Sequence, residues 1–233
     1  MIIIWQTLIA IALLHQADAQ ARPPYVVAER ILPNNQMGIT LTNVSETSIV
    51  AFHASSECAS FKWDMDQDSL LQNAPLLKIG PGLSHSFQFP TPPDGCGVKV
   101  DAVLFADGSS GGDETAVDNI YAHRDGLQDE LKRMRPQLVS AATGALREDG
   151  FRVYLSERRM AIRNDTSETL AKKRGRLAAL SQLDRQLSTG AIVETPNRGQ
   201  TSSDAPDFVT RCLSSTKFVD DWQAKLEASQ KGR

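Results

Sequence analysis

The segment Gly108-Ser109-Ser110-Gly111-Gly112 matches G-x-S-x-G, the spacing that sets a serine on a sharp turn between a strand and a helix. An apolar run, Val98–Phe105, precedes it and a charged helical pattern follows. The setting fits a nucleophile elbow in an exported serine hydrolase, with Ser110 as the nucleophile. Such an enzyme also needs a parallel sheet of βαβ units and a general base. The segments before Ser110 are short antiparallel-type strands, and the only histidine after it is His123, in the very next helix. The same loop matches a degenerate calcium loop, with Asp107, Ser109 and Asp113 at positions 1, 3 and 7, Gly112 at the turn position and Asp118 at position 12. Gly111 replaces an oxygen ligand in it, and Asp118 stands where glutamate is usual. The plainer expectation is that Asp107 and Asp113 satisfy amides of the turn and cap the helix.

The other reactive side chains are few. His53, His85 and His123 have no i,i+4 histidine partner, and no H-E-x-x-H occurs; strand histidines among apolar neighbours are expected at positions 53 and 85. The cysteines are Cys58, Cys96 and Cys212, with no C-x-x-C. Cys58 follows the third expected strand and Cys96 precedes the last. If those strands are neighbours or face each other, the two cysteines meet at one end of the domain, within the roughly 4.4–6.8 Å Cα separation that a disulfide needs. A Cys58–Cys96 bridge should stabilise by roughly 3–4 kcal/mol. The competing pairings use Cys212 and tie the tail to the sandwich; otherwise Cys212 is a buried thiol.

The elements that position these residues fall into two halves. Tyr25–Ile31 is a candidate strand. In Met37–Thr42, Met37, Ile39 and Leu41 alternate with polar or small residues, the signature of a half-buried strand. Ile49–Ala54 follows after turn chemistry at Asn43–Ser48, and the pair reads as a hairpin. Phe61 and Trp63 can face a core, while Asp64, Asp66 and Asp68 read as a polar loop. Leu76–Ile79, then His85, Phe87 and Phe89, then Val98, Val100, Ala102 and Leu104 complete six short strands, the pattern of an antiparallel sandwich. The spacing is immunoglobulin-like, yet Trp63 follows Cys58 too closely to be the core tryptophan of antibody domains. The run Leu41-x-Asn43-x-Ser45, then Gly80-Pro81-Gly82, then Val103–Ser109, resembles a group of uncharacterised exported bacterial proteins with a small immunoglobulin-like β-sandwich. The resemblance spans roughly Gln36–Asp113 and implies a fold but no activity.

After Asp113, a good N-cap, the chain turns helical. Val117, Ile120, Tyr121, Leu127, Leu131, Met134 and Leu138 form one apolar stripe, interrupted by Arg124 and weakened by Gly126. Asp129 and Arg133 read as an outer i,i+4 pair, and Pro136 as a kink or restart. Phe151–Leu155 is ambiguous between strand and helix. Asp165-Thr166-Ser167-Glu168 reads as a helix start. The Lys172–Arg176 basic cluster reads as a solvated face, with binding of an anionic partner as the alternative. Asn197–Asp207 reads as a linker, and Phe208–Leu226 as a last helix with Cys212, Val219, Trp222 and Leu226 inward.

The fold class expected is therefore α+β by segregated domains: an N-terminal antiparallel β-sandwich over 22–112, a helical region over 113–190, and a linker with a C-terminal helix over 191–233. Residues 1–19 read as a secretory signal peptide, with the apolar run Ile2–Leu14, the A-x-A site Ala17-Asp18-Ala19 and cleavage after Ala19. No basic residue precedes that run; the alternative, an uncleaved anchor, needs about 20 apolar residues. The expected location is periplasmic or secreted, with no membrane span after cleavage. A net charge of -3 predicts no strong field toward nucleic acid. No cofactor is implied. The leading expectation is a non-catalytic binding or structural module with a protein partner; the alternatives are the Ser110 hydrolase and a calcium-stabilised adhesin-like module.

Overall fold

The structure, a computed structural model, describes residues 24–31, 36–58, 61–70, 78–90, 96–189 and 207–230. The expected signal segment, the Leu76–Leu77 part of a strand and most of the expected linker lie outside these residues.

Among the described residues, seven strands form two antiparallel sheets. One is β1 (Tyr25–Ile31), β2 (Gln36–Asn43) and β5 (Ser84–Pro90), in the order β1-β2-β5. The other is β3 (Ile49–Cys58), β4 (Phe61–Asp68), β6 (Lys99–Phe105) and β7 (Ser110–Gly112), in the order β4-β3-β6-β7. Met37, Ile39 and Leu41 of β2 pack against Ile49, Phe52, Ala54, Val100, Val103 and Phe105 of the second sheet, and the Tyr25 hydroxyl donates to the Val100 carbonyl at 3.2 Å. These contacts make one core shared by the two sheets.

β2 and β3 are not the hairpin that their spacing suggests, because they lie in different sheets. Asn43 carries the crossing. It is fully buried; its amide donates to the Thr47 and Ile79 carbonyls at 2.8 Å each, and its Oδ1 accepts from the Ser45 N–H at 2.9 Å. The side chain thus replaces the backbone pairing that a tight turn would supply. Ile79 makes only an isolated bridge to Ile49.

The second sheet is covered on both faces. Val98, Val100, Val103 and Phe105 face the core shared with the first sheet, whereas Ala102 and Leu104 face helices. The simple alternation expected for Val98–Leu104 fails because the register shifts between His53 and Ala54: His53 pairs with Ala102 and Ala54 with Val100, leaving Asp101 as the extra residue of a bulge. The disulfide joins Cys58 and Cys96 with Cα atoms 5.6 Å apart, at one end of the adjacent pair β3–β6.

Among the described residues four helices follow: α1 (Glu114–Ala142), α2 (Glu148–Asn164), α3 (Leu170–Thr189) and α4 (Phe208–Gln230). α1 starts at Asp113, whose side chain accepts from the Ala116 N–H. Its first turns lay Ala116, Ile120 and Tyr121 on Ala51, Ala102 and Leu104, and its later turns lay Leu127, Leu131, Met134 and Leu138 in a helical core shared with α2, α3 and α4. Pro136 does not restart the helix; it is exposed, so the carbonyl it leaves unbonded can meet water. Phe151–Leu155 is helical, since Phe151 and Leu155 fall one turn apart on the core side of α2. Asp165 ends α2 instead of starting α3, and the Thr169 hydroxyl accepts from the Lys172 N–H at 3.3 Å as the cap. Cys212, Val219, Trp222 and Leu226 are buried along α4, as their spacing predicts. Among the described residues no helix is long and apolar enough to cross a membrane.

Candidate functional site

The stretch Trp63-Asp64-Met65-Asp66-Gln67-Asp68 is not a polar loop but the body of β4. A strand sends alternate side chains to opposite faces. Trp63 and Met65 therefore pack on the core between the sheets, while Asp64, Asp66 and Asp68 point under the helices. Every one of the three carboxylates meets a nitrogen base there. Asp66 accepts from His53 Nδ1 of β3 at 2.7 Å and from His123 Nδ1 of α1 at 3.1 Å. Asp68 takes Arg124 bidentately at 2.6 and 3.1 Å, and the pair is buried. Asp64 takes the two terminal nitrogens of Arg174 of α3, Nη2 at 3.1 Å. His53 Nε2 faces Asp101 Oδ2 at 3.8 Å, and Lys99 pairs with Asp101 at 2.9 Å. Trp222 of α4 adds a tie to the end of the strand by donating from Nε1 to the Leu70 carbonyl.

A close crossing of α1 and α3 brings these groups together. A Cβ built on Gly126 would stand 2.0 Å from the Lys172 carbonyl oxygen, and one on Gly175 would stand 1.9 Å from that of His123. Only glycine lets the two backbones approach this far. One turn along the same interface, fully buried Glu130 accepts from Arg158 at 2.7 and 2.9 Å and from Arg176 at 3.0 Å; Arg176 also reaches Glu168 at 2.5 Å. The basic cluster is thus not a solvated face. Lys172 pairs with Asp129 at 2.8 Å, Arg174 with Asp64 and Arg176 with Glu130. Asp129 turns to Lys172, not to the Arg133 expected from the i,i+4 spacing.

Beneath the first turn of α3 lies a cavity of about 100 Å³ lined by His53, Asp64, Asp66, Asn119, Leu170, Ala171 and Arg174. Burial pushes the Asp66 carboxyl up, but the hydrogen bonds from His123 and His53 outweigh it and hold Asp66 well below the ordinary carboxylate range. The hydrogen bond to Asp66 raises the His53 imidazole, against the opposing effect of its own burial. Among the described residues no group of three or more His, Cys, Asp or Glu is arranged to hold a metal ion.

These shifts have a pH signature. A histidine raised above its unfolded value contributes stability that is full below that value and is lost as pH rises through the folded one. Asp66, depressed, acts oppositely: its contribution is full above the ordinary aspartate value and is lost as pH falls toward the folded one. The denaturant midpoint should therefore be higher near pH 5 than near about pH 8, and should fall again below about pH 4. Equilibrium unfolding across that range checks it; a midpoint that rises steadily from pH 5 to about 8 contradicts it.

Ser110 lies exposed on edge strand β7, opposite Leu104. His53 pairs with Ala102, whose partner is Gly112, so Ser110 sits two strands over and two residues farther along than His53. His123 is bonded to Asp66. The fold brings neither imidazole into a hydrogen bond with the serine. Gly112 has a different use: at φ 106° it lets β7 close on β6, where a Cβ would stand 2.1 Å from the Asp101 carbonyl oxygen. Asp107 Oδ1 accepts from the Ser109 N–H at 2.9 Å and from its hydroxyl at 2.6 Å, and its Oδ2 accepts from Thr47 at 3.1 Å. Asp113 caps α1, and Asp118 is exposed one turn into it. Asp107 and Asp113 thus serve the turn and the cap. His85 is exposed at the start of β5, tilted against Phe87. The signal that could have shown Asp64, Asp66 and Asp68 as one strand face is their alternation with Trp63, Met65 and Gln67.

Comparison with family models, with curated proteins and with solved structures finds no match for this chain.

Proposed function

We propose that the protein is an exported, non-catalytic interaction module of immunoglobulin-like type that uses its three-stranded sheet to engage a protein partner. The observation that carries this reading is the asymmetry of the sandwich. The four-stranded sheet is covered by α1 on its outer face, whereas the three-stranded sheet keeps an outer face of paired hydroxyls, Thr40 with Ser86 and Thr42 with Ser84 at 2.8 Å each, beside exposed Val26. Its edge strand β5 carries no Lys, Arg, Asp or Glu, the charges that usually blunt an edge. An added strand from a partner can pair with such an edge. The immunoglobulin-like assignment is supported by the order β1-β2-β5 facing β4-β3-β6-β7, with the chain crossing between sheets after β2, β4 and β5. Export is supported by the N-terminal apolar run with its A-x-A site and by the Cys58–Cys96 disulfide, which belongs to an oxidising compartment. The buried ionisable groups are consistent with a non-catalytic role, because they join strands to helices.

A photo-crosslinker at Ser86, with the protein expressed in its exporting cell, tests this. A single discrete protein adduct is expected, lost when Thr40→Lys and Gln88→Lys are introduced. Labelling of Ser110 by an active-serine probe, or no adduct from Ser86, would refute the reading.

A further inference from the structure

We propose that the cavity beneath the first turn of α3 is a binding site for a small zwitterion, a free α-amino acid of about the size of glycine. This site is separate from the three-stranded sheet and does not depend on its role. The cavity holds about 100 Å³. An apolar cavity of about 150 Å³ accepts benzene, so this one has room for about four or five non-hydrogen atoms.

Electrostatics selects the class. Arg174 and Asp64 form an ion pair along the wall, a fixed dipole. A guanidinium has five N–H donors, and this pair uses one on each terminal nitrogen, leaving the others. The Asp64 carboxylate likewise keeps unused lone pairs. A ligand dipole laid antiparallel to the pair meets both: its carboxylate beside Arg174, its ammonium beside Asp64. A simple anion or cation gains one attraction and suffers one repulsion. Two further groups favour the same orientation. The first N–H groups of α3, at Leu170 and Ala171, carry the positive end of a 20-residue helix and suit the carboxylate. Asn119 supplies an amide that can donate or accept. His53 and Asp66, bonded to each other, add one base and one carboxylate to the wall.

A ligand of this size binds weakly, with Kd between about 0.1 and 10 mM. The test is a titration of the full folded protein with glycine, acetate, methylammonium and ethylene glycol, followed by amide shifts of Leu170, Ala171 and Arg174. Glycine should saturate, with each of the other three at least about tenfold weaker. Asn119→Leu fills the cavity without touching an ion pair and should weaken glycine at least about tenfold. Leu170→Asp places a carboxylate beside the ligand's own on a residue that is 63% exposed, and should do the same if the leucine variant fails to fold. No saturation by about 100 mM glycine, acetate binding as tightly as glycine, or glycine binding unchanged in a folded variant would overturn the proposal.

Discussion

Replacing Gly126 by alanine should destabilise the protein by about 3 kcal/mol or more. The sign is the informative part. In an exposed helix the same change stabilises by up to about 1 kcal/mol, because alanine is the better helix former. Here the new Cβ would lie 2.0 Å from the Lys172 carbonyl oxygen, a backbone atom with no rotamer to change. α1 and α3 would have to separate. The separation would stretch the ties around the crossing, Asp129–Lys172 at 2.8 Å and Glu130–Arg176 at 3.0 Å. Gly175→Ala meets the reciprocal obstacle, the His123 carbonyl oxygen at 1.9 Å, and should cost a similar amount. Gly150 is the control: its nearest neighbour is the flexible Leu146 side chain at 3.1 Å, and it is exposed in the first turn of α2. Gly150→Ala should be neutral or stabilising by up to about 1 kcal/mol. Denaturant midpoints of the three variants distinguish a backbone contact from ordinary helix propensity.

Glu130→Ala should cost about 3–5 kcal/mol. Both Glu130 oxygens are occupied, one by Arg158 and the other by Arg158 and Arg176. The Arg158 and Arg176 side chains are only 14% and 8% exposed. Removing the carboxylate leaves two guanidiniums facing each other with little water. Arg176 keeps Glu168, and Arg158 keeps no ion pair among the described residues. The triple replacement Glu130→Leu, Arg158→Met, Arg176→Met should recover most of the loss, because desolvating three charges is what makes the native arrangement costly. Glu130 itself reflects that cost: burial raises its carboxyl above the usual range despite the pull of Arg158. A loss below about 1 kcal/mol in Glu130→Ala would place the triad in water, in effect a surface network.

Periodicity revealed the buried face of β2, the apolar stripe of α1 and the inner side of α4, because each pattern is local and each buries one face. The Cys58–Cys96 pairing was legible for the same reason: it follows from which strand ends where. The candidate site was not. Asp64, Asp66 and Asp68 read as loop residues because a buried carboxylate is intelligible only once its partner is known, and their partners on the helices stand 110, 57 and 56 residues away. Arg124 and Gly126 read as defects in an apolar stripe, whereas one carries a buried ion pair and the other a backbone contact. The Lys172–Arg176 cluster read as solvated for want of the same information. The covered sheet also hid its bulge: Val98-Lys99-Val100-Asp101 alternates, but from Ala102 to Phe105 both faces are apolar, so the one-residue slip at Asp101 leaves no mark in the pattern.

The buried charges of β4 are ties between layers, and replacing Asp66 by asparagine puts that role to the test. The side chain keeps its shape and loses its charge. Its amide then presents N–H to one of two imidazoles that now donate to Asp66 at 2.7 and 3.1 Å. A tie predicts a drop of about 2 kcal/mol or more in unfolding free energy, with a single transition in which sheet and helices unfold together, and a flatter dependence on pH between about 5 and 8. A reactive carboxylate held at the expense of the fold predicts the reverse, since removing such a group commonly stabilises a protein. An Asp66→Asn variant as stable as the parent, or more so, would show that Asp66 is not a tie between the layers.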